Sequence, residues 1–141
     1  MTEATIGYGT TYRVWDASLT TPALVEIGEV INVTPPGGTA DRVDATHMKS
    51  PGRRREYISG LIDSGEASFE INWIPGSPTD VLLRGLLASG AVVQHQIEWA
   101  NGVSVTFDAA LTGFEKSTPI DDRMTATITV APSGEEVWED A

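Results

Sequence analysis

Residues 66–74 alternate strictly, with Ala67, Phe69, Ile71 and Trp73 on one side and Glu66, Ser68, Glu70 and Asn72 on the other. A period of two with one apolar side predicts a strand with one buried and one solvated face. The pattern recurs three times later in the chain. Val93, His95, Ile97 and Trp99 oppose Gln94, Gln96 and Glu98; Val103, Val105, Phe107 and Ala109 oppose Ser104, Thr106 and Asp108; Met124, Ala126, Ile128 and Val130 oppose Thr125, Thr127 and Thr129. Asn101-Gly102 is the strongest hairpin signal present and predicts an antiparallel pair across it. Nearer the start, Tyr12–Asp16 reads as a strand with Tyr12 and Val14 on one face. Residues 24–33 read as one further strand, on which Val25, Ile27, Ile31 and Val33 share a face. Thr34-Pro35-Pro36-Gly37-Gly38 ends that strand, since proline cannot donate to a ladder.

The one segment with a helical pattern is 78–89. Ser77 stands as N-cap, Pro78 at the first helical position, and Asp80 three residues after the cap. Val81, Leu82, Leu83, Leu86 and Leu87 follow, and Gly90 is placed to end the helix. The expected fold is mainly β. It consists of two packed antiparallel sheets, a sandwich or partly closed barrel, with one flanking α-helix and a long β–β loop. A single domain covers residues 1–141, with an N-terminal arm at 1–10, the loop at 47–64 and an acidic C-terminal tail at 133–141. Thr112 to Asp122 reads as a polar loop.

Charge changes this picture in one place. The chain carries a formal net charge of -11 and no cysteine, which excludes disulfides and thiolate chemistry. It also disfavours tight binding to nucleic acid, because that affinity comes from Lys and Arg neutralising phosphates. Yet Arg42, Lys49, Arg53, Arg54 and Arg55 lie in one stretch with a single acid, Asp44, leaving four bases and nineteen acids elsewhere. A basic loop thus sits on an acidic body. The solvated side of the strands shows the opposite bias: the residues read onto it include Glu66, Glu70, Glu98 and Asp108 and no base. No apolar run approaches the roughly 20 residues that would span a bilayer, and the N-terminus lacks the pattern of a secretory signal.

Catalytic chemistry finds no foothold. His47 and His95 are the only histidines; His95 falls on the apolar side of its strand, the position of a hydrogen-bonded core or interface histidine. Neither has H-x-x-x-H spacing, and no G-x-S-x-G, P-loop or dinucleotide fingerprint is present. Asp121 and Asp122 follow Ser117-Thr118-Pro119 and read as turn residues. No enzyme activity, metal or cofactor is expected.

The run VDATHMKSPGRRREYISGLIDSGEASFEINW resembles the tail tube (major tail) proteins of bacteriophages with long, non-contractile tails. The resemblance rests on Asp44-x-Thr46-His47-Met48, a Ser-Pro-Gly break, arginines before Glu56-Tyr57-Ile58, then Gly60-Leu61 and Asp63-x-Gly65-Glu66 leading into an alternating strand. The order of strand, loop, strand and helix extends it over most of residues 20–130. It implies two β-sheets flanked by one helix, and subunits forming hexameric rings stacked into a tube in the virion tail, built in the bacterial cytoplasm. It further implies a tape-measure protein and tail-end proteins as partners, and double-stranded DNA passing through the lumen without specific binding. On this reading His47, Met48, Lys49, Arg53, Arg54, Arg55, Glu56, Tyr57 and Ile58 form an inter-subunit loop. Glu66, Glu70, Gln94, Gln96, Glu98 and Asp108 are candidates for the lumen face, and Trp138 for an anchor on a neighbour. The rival expectations are a monomeric β-sandwich that binds carbohydrate or another ligand, and another tail ring protein such as a terminator or connector.

Overall fold

The computed structural model describes residues 7–17 and 20–140. The arm read at 1–10 therefore lies mostly outside the described residues; Gly7 to Thr10 form a turn in which the Thr10 N–H donates to the Gly7 carbonyl at 3.2 Å.

Alternation becomes strand wherever it is strict. The strands are β1 (Thr11–Asp16), β2 (Ala23–Glu26), β3 (Val30–Thr34), β4 (Thr39–Asp44), β5 (Tyr57–Asp63), β6 (Ala67–Asn72), β7 (Val93–Glu98), β8 (Ser104–Ser117) and β9 (Thr125–Glu139). Seven of them make one antiparallel sheet in the order β2-β1-β7-β8-β9-β6-β3, and β4 pairs with β5 in a second, separate sheet. The large sheet does not close into a barrel. It curls, so that Tyr12 of β1 lies against Phe69 of β6 with ring centroids 4.0 Å apart, although three strands separate them in the sheet. The apolar residues of the alternating segments, among them Val14, Ile71, Ile97, Val105, Ile128 and Val130, fill the concave side and are essentially inaccessible. Each such side chain stabilises the fold by about 1.5–3 kcal/mol relative to exposure.

The helix α1 (Pro78–Ser89) has the expected bounds. The Ser77 hydroxyl accepts from the Asp80 N–H, and Gly90, in the left-handed region at φ 67°, donates its N–H to the Leu86 carbonyl at 3.0 Å. Leu83 is the fully buried residue of its inner face, which packs over β8.

Three expectations are corrected. Residues 24–33 are two strands, because Gly28-Glu29 makes a turn with Glu29 at φ 56°. The Glu29 carbonyl accepts from the Asn72 N–H at 3.0 Å, and β2 and β3 go to opposite edges of the sheet, leaving Ile31 exposed. The first part of the polar stretch, Thr112 to Ser117, is still β8, and only the residues beyond it are loop: a bulge between Leu111 and Gly113 shifts the phase, and Phe114 packs against the core. The acidic tail is strand as well. The start of β8 would otherwise leave unpaired ladder groups on the side away from β7, and β9 fills that gap with Val137 opposite Thr106 and Trp138 opposite Val105.

His95 is the core histidine its phase predicts. Its Nδ1 lies 2.8 Å from the Tyr12 hydroxyl, and its ring stacks on Phe107 at 5.7 Å. Burial pushes its pKa down to about 4, opposed in part by the Ala109 backbone, whereas in an unfolded chain it titrates near 6.5. The unfolded state therefore takes up the proton first, so the stability is full above about pH 6.5 and declines as pH falls toward 4. We expect a loss of about 3 kcal/mol across this window, measured as a lower urea midpoint at pH 4.5 than at pH 7. His95→Phe flattens that dependence.

Candidate assembly surfaces

The ribbon of β4 and β5 stands apart from the rest of the molecule. In register, Ala40 faces Ile62, Arg42 faces Ser59, Val43 faces Ile58 and Asp44 faces Tyr57, with a bulge between Ala40 and Arg42. Every residue of β4 is exposed, and in β5 only Gly60 is partly covered. The last part of the segment read as a loop at 47–64, Tyr57–Asp63, is therefore strand. Gly60 permits it: a Cβ there would stand 3.1 Å from Val43 Cγ2 and 3.3 Å from the Asp41 carbonyl oxygen. Paired residues share a face. Val43 and Ile58 lie on one side, Arg42 and Tyr57 on the other, where the guanidinium sits 4.4 Å above the ring. Val43, Ile58, Leu61 and Ile62 are 46%, 57%, 84% and 74% exposed. An isolated two-stranded ribbon is marginally stable in water.

Its tip is tied by Glu56. The Ser50 hydroxyl donates to Glu56 Oε2 at 2.8 Å and accepts from the His47 N–H at 3.0 Å. The Lys49 N–H on His47 Nδ1, at 3.2 Å, leaves the ring proton on Nε2, which points to Glu56 Oε2 at 3.2 Å. Thr46 Oγ1 accepts from the Glu56 N–H at 2.8 Å, and Asp44 accepts from the Thr46 N–H; the Thr46 side chain first, and that N–H second, hold the Asp44 pKa below the ordinary carboxylate value. Glu56 thus folds back as an internal tie. Beyond it Gly52 and Arg53 both adopt positive φ, 64° and 55°, an unfavourable backbone for arginine. Met48, Lys49, Arg53, Arg54 and Arg55 are all exposed, and among the described residues no ion pair engages Lys49 or the three arginines.

The second surface is the solvated face of the large sheet. Gln94 pairs with Asp108, Gln96 with Thr106 and Glu98 with Ser104, while Glu70 pairs with Thr127. Glu66 lies just before β6 and is exposed. This face is not free of bases, as the sequence suggested. Arg13, opposite Gln96, donates to Gln96 Oε1 at 3.0 Å and to Glu98 Oε2 at 2.8 Å. Its alternation with Tyr12 and Val14 already placed it outward, but β1 was read for its apolar side alone. Glu26 and Glu115 join the same face through their pairing with Arg13 and Thr127, so it stays acidic. Ser104, read as solvated, is buried.

Trp138 stacks on Trp99 of its own chain, ring centroids 5.6 Å apart and planes 3° from parallel, and remains 51% exposed. Arg42 and Val43 lie outside the loop expected at 47–64 and are arm surface as well, through their pairing with Ser59 and Ile58; the extended alternation about Val43 was a usable signal. Among the described residues no group of His, Asp and Glu is arranged to hold a metal ion, and no helix is long and apolar enough to cross a membrane.

A curled antiparallel domain with one packed helix and a projecting, uncovered arm defines a β protein whose distinctive chemistry lies on its surfaces. The model of the lambda phage tail tube protein family matches residues 7–139, and the chain belongs to that family. No curated protein matches the sequence. The fold is shared with the tail of an empty gene transfer agent particle refined with C6 symmetry, at 18% identity and a TM-score of 0.78, covering 97% of this chain and 100% of that one. It is shared too with a chain of the sheath–tube complex of an extracellular contractile injection system, at 14% identity and TM-score 0.74 over 99% and 93% of the two chains. The SPP1 tail tube matches at 9% identity and TM-score 0.69, over 94% of this chain and 77% of that one.

Proposed function

We propose that this protein is the self-assembling, non-enzymatic subunit of a phage tail tube. It forms hexameric rings that stack into a hollow conduit in the virion tail, assembled in the cytoplasm of the bacterial host. The observation that carries this reading is the β4–β5 arm: a basic, apolar ribbon that pairs with no other strand among the described residues, on a body that is strongly acidic. Laid on a neighbouring copy, His47, Met48, Lys49, the three arginines and Ile58 offset the self-repulsion of stacking and fix register, while the edges β2 and β3 become covered. Trp138 offers its free face to the same kind of contact. The acidic sheet face, with Glu66, Glu70, Gln94, Gln96, Glu98 and Asp108, serves as the lumen wall. It gives a DNA duplex no unpaired cations to hold, since Arg13 is already engaged by Glu98. A tape-measure protein occupies the lumen before DNA, and tail-end proteins close the tube.

A carbohydrate-binding module is disfavoured because Trp73 and Trp99 pack against the core and present no flat platform. A terminator or connector shares the fold, so the test is polymerisation. Electron microscopy of the concentrated protein is expected to show hollow tubes that lengthen with concentration. Rings that never stack would identify a terminator instead, and a monomer at every concentration and salt would overturn the proposal.

A further inference from the structure

A tube of identical copies joined head to tail uses a heterologous interface, so each chain must carry both the inserting element and the surface that receives it. The arm supplies the first. The second has to be apolar, uncovered and open on the same chain.

One cleft has that character. It lies between the outer side of α1 and the end of β1, has a volume of about 690 Å³, and is lined chiefly by Trp15, Val81, Leu82, Leu86 and Val93. Its helical wall is partly open to solvent: Val81 is 55% exposed, and Leu82 and Leu86 are half-buried. Gly85 lines the floor, and nothing stands within 4 Å of where its Cβ would be. Glycine inside a helix is unfavourable relative to alanine, and the omitted side chain deepens the cleft. One acid, Asp16, lines the cleft beside Trp15, and Asp80 in the first turn of the helix is engaged by Arg84 at 3.0 Å.

We propose that this cleft seats the apolar face of the arm, Val43 with Ile58, from a neighbouring copy; the inference rests on the tube reading above. The Val43–Ile58 face suits an apolar groove, whereas the opposite face carries the Arg42–Tyr57 stack. The acidic balance outside the arm favours the approach of its basic tip. Seating the arm also covers both surfaces at once, which neither achieves in the single chain.

The absence of cysteine makes the contact directly measurable. Ile58→Cys and Val81→Cys are introduced together and treated, under assembling conditions, with a short bifunctional maleimide. A ladder of covalent oligomers well beyond the dimer is expected, while either single variant stops at dimers. Adding Gly85→Glu, which fills the cleft with a charged side chain while favouring helix, is expected to abolish the ladder and leave the monomer's circular dichroism unchanged. Tubes that form normally while the double-cysteine protein gives no ladder, or tubes and ladder that persist with Gly85→Glu, would overturn the cleft as the arm's seat and leave the tube reading intact. Failure of the unsubstituted protein to form any oligomer would overturn both.

Discussion

Replacing Arg53, Arg54 and Arg55 by serine is expected to leave a folded monomer that no longer grows tubes at concentrations where the unsubstituted protein does. The three side chains are exposed and make no ion pair among the described residues, so the folded monomer does not depend on them. The tip keeps its shape, because the bonds from Ser50, His47 and Thr46 converge on Glu56 and involve no arginine side chain. In the assembly each arginine would meet carboxylates, which its planar fork suits. At about 1 kcal/mol for each contact, the triple variant raises the concentration needed for assembly about 100-fold, read by sedimentation of tubes against protein concentration. Added salt is expected to act in the same direction on the unsubstituted protein, since exposed charges are screened over about 10 Å at 0.1 M. Tubes of ordinary yield from the triple variant would remove the electrostatic role assigned to the tip.

The largest expected loss of stability from a polar residue is at Asp80. The side chain is shallow yet only 2% exposed. Its Oδ1 accepts from Trp73 Nε1 at 2.8 Å, its Oδ2 from the Gly76 N–H at 2.9 Å, and Arg84 Nε lies 3.0 Å from Oδ2. Burial works to raise its pKa, and the bonds from Trp73 and Gly76 with the charges of Arg84 and Lys116 outweigh it, holding the carboxyl below its ordinary value. Asp80→Ala strands two donors beside the Pro75-Gly76 turn and frees the helix start. A loss of about 3 kcal/mol is expected, seen as a lower urea midpoint with unchanged slope. A change under 1 kcal/mol would mean that solvent replaces the carboxylate without cost.

Asp80 also shows what a sequence can and cannot convey. Ser77, Pro78, Asp80 and Gly90 mark the helix bounds because capping is local: the interacting groups lie within four residues. That the same carboxylate also anchors Trp73 depends on how β6 leads into the helix, and no spacing rule announces it. Likewise Ala67, Phe69 and Ile71 are buried as their alternation required. The failures lie where pairing overrides local signals. Pro132-Ser133-Gly134 looks like a stop, yet the open side of β8 draws the chain onward, with Gly134 at φ 84° and an irregular register between Thr106 and Asp108. Thr112–Ser117 reads as polar loop only because a bulge moves its apolar residue, Phe114, out of phase. At the assembly surfaces the charge of the arm was legible, since composition needs no geometry. Glu56, expected within the inter-subunit loop, also ties the tip inside the chain, which only the closure of the tip reveals.

The order of the large sheet has a consequence for how the protein is made. Tyr12 and His95, bonded across β1 and β7, stand 83 residues apart in the chain, and closing so large a loop slows folding. A growing chain can pair β1 with β2 and β4 with β5 as soon as each hairpin emerges, but β1 waits for its inner neighbour until two-thirds of the protein has been synthesised. Until then the core is open and that strand edge is bare, whereas the arm is already complete. The arm proposed for attachment therefore precedes the body during synthesis, and on that proposal nascent chains crowded on one messenger are the setting in which premature association would be most costly.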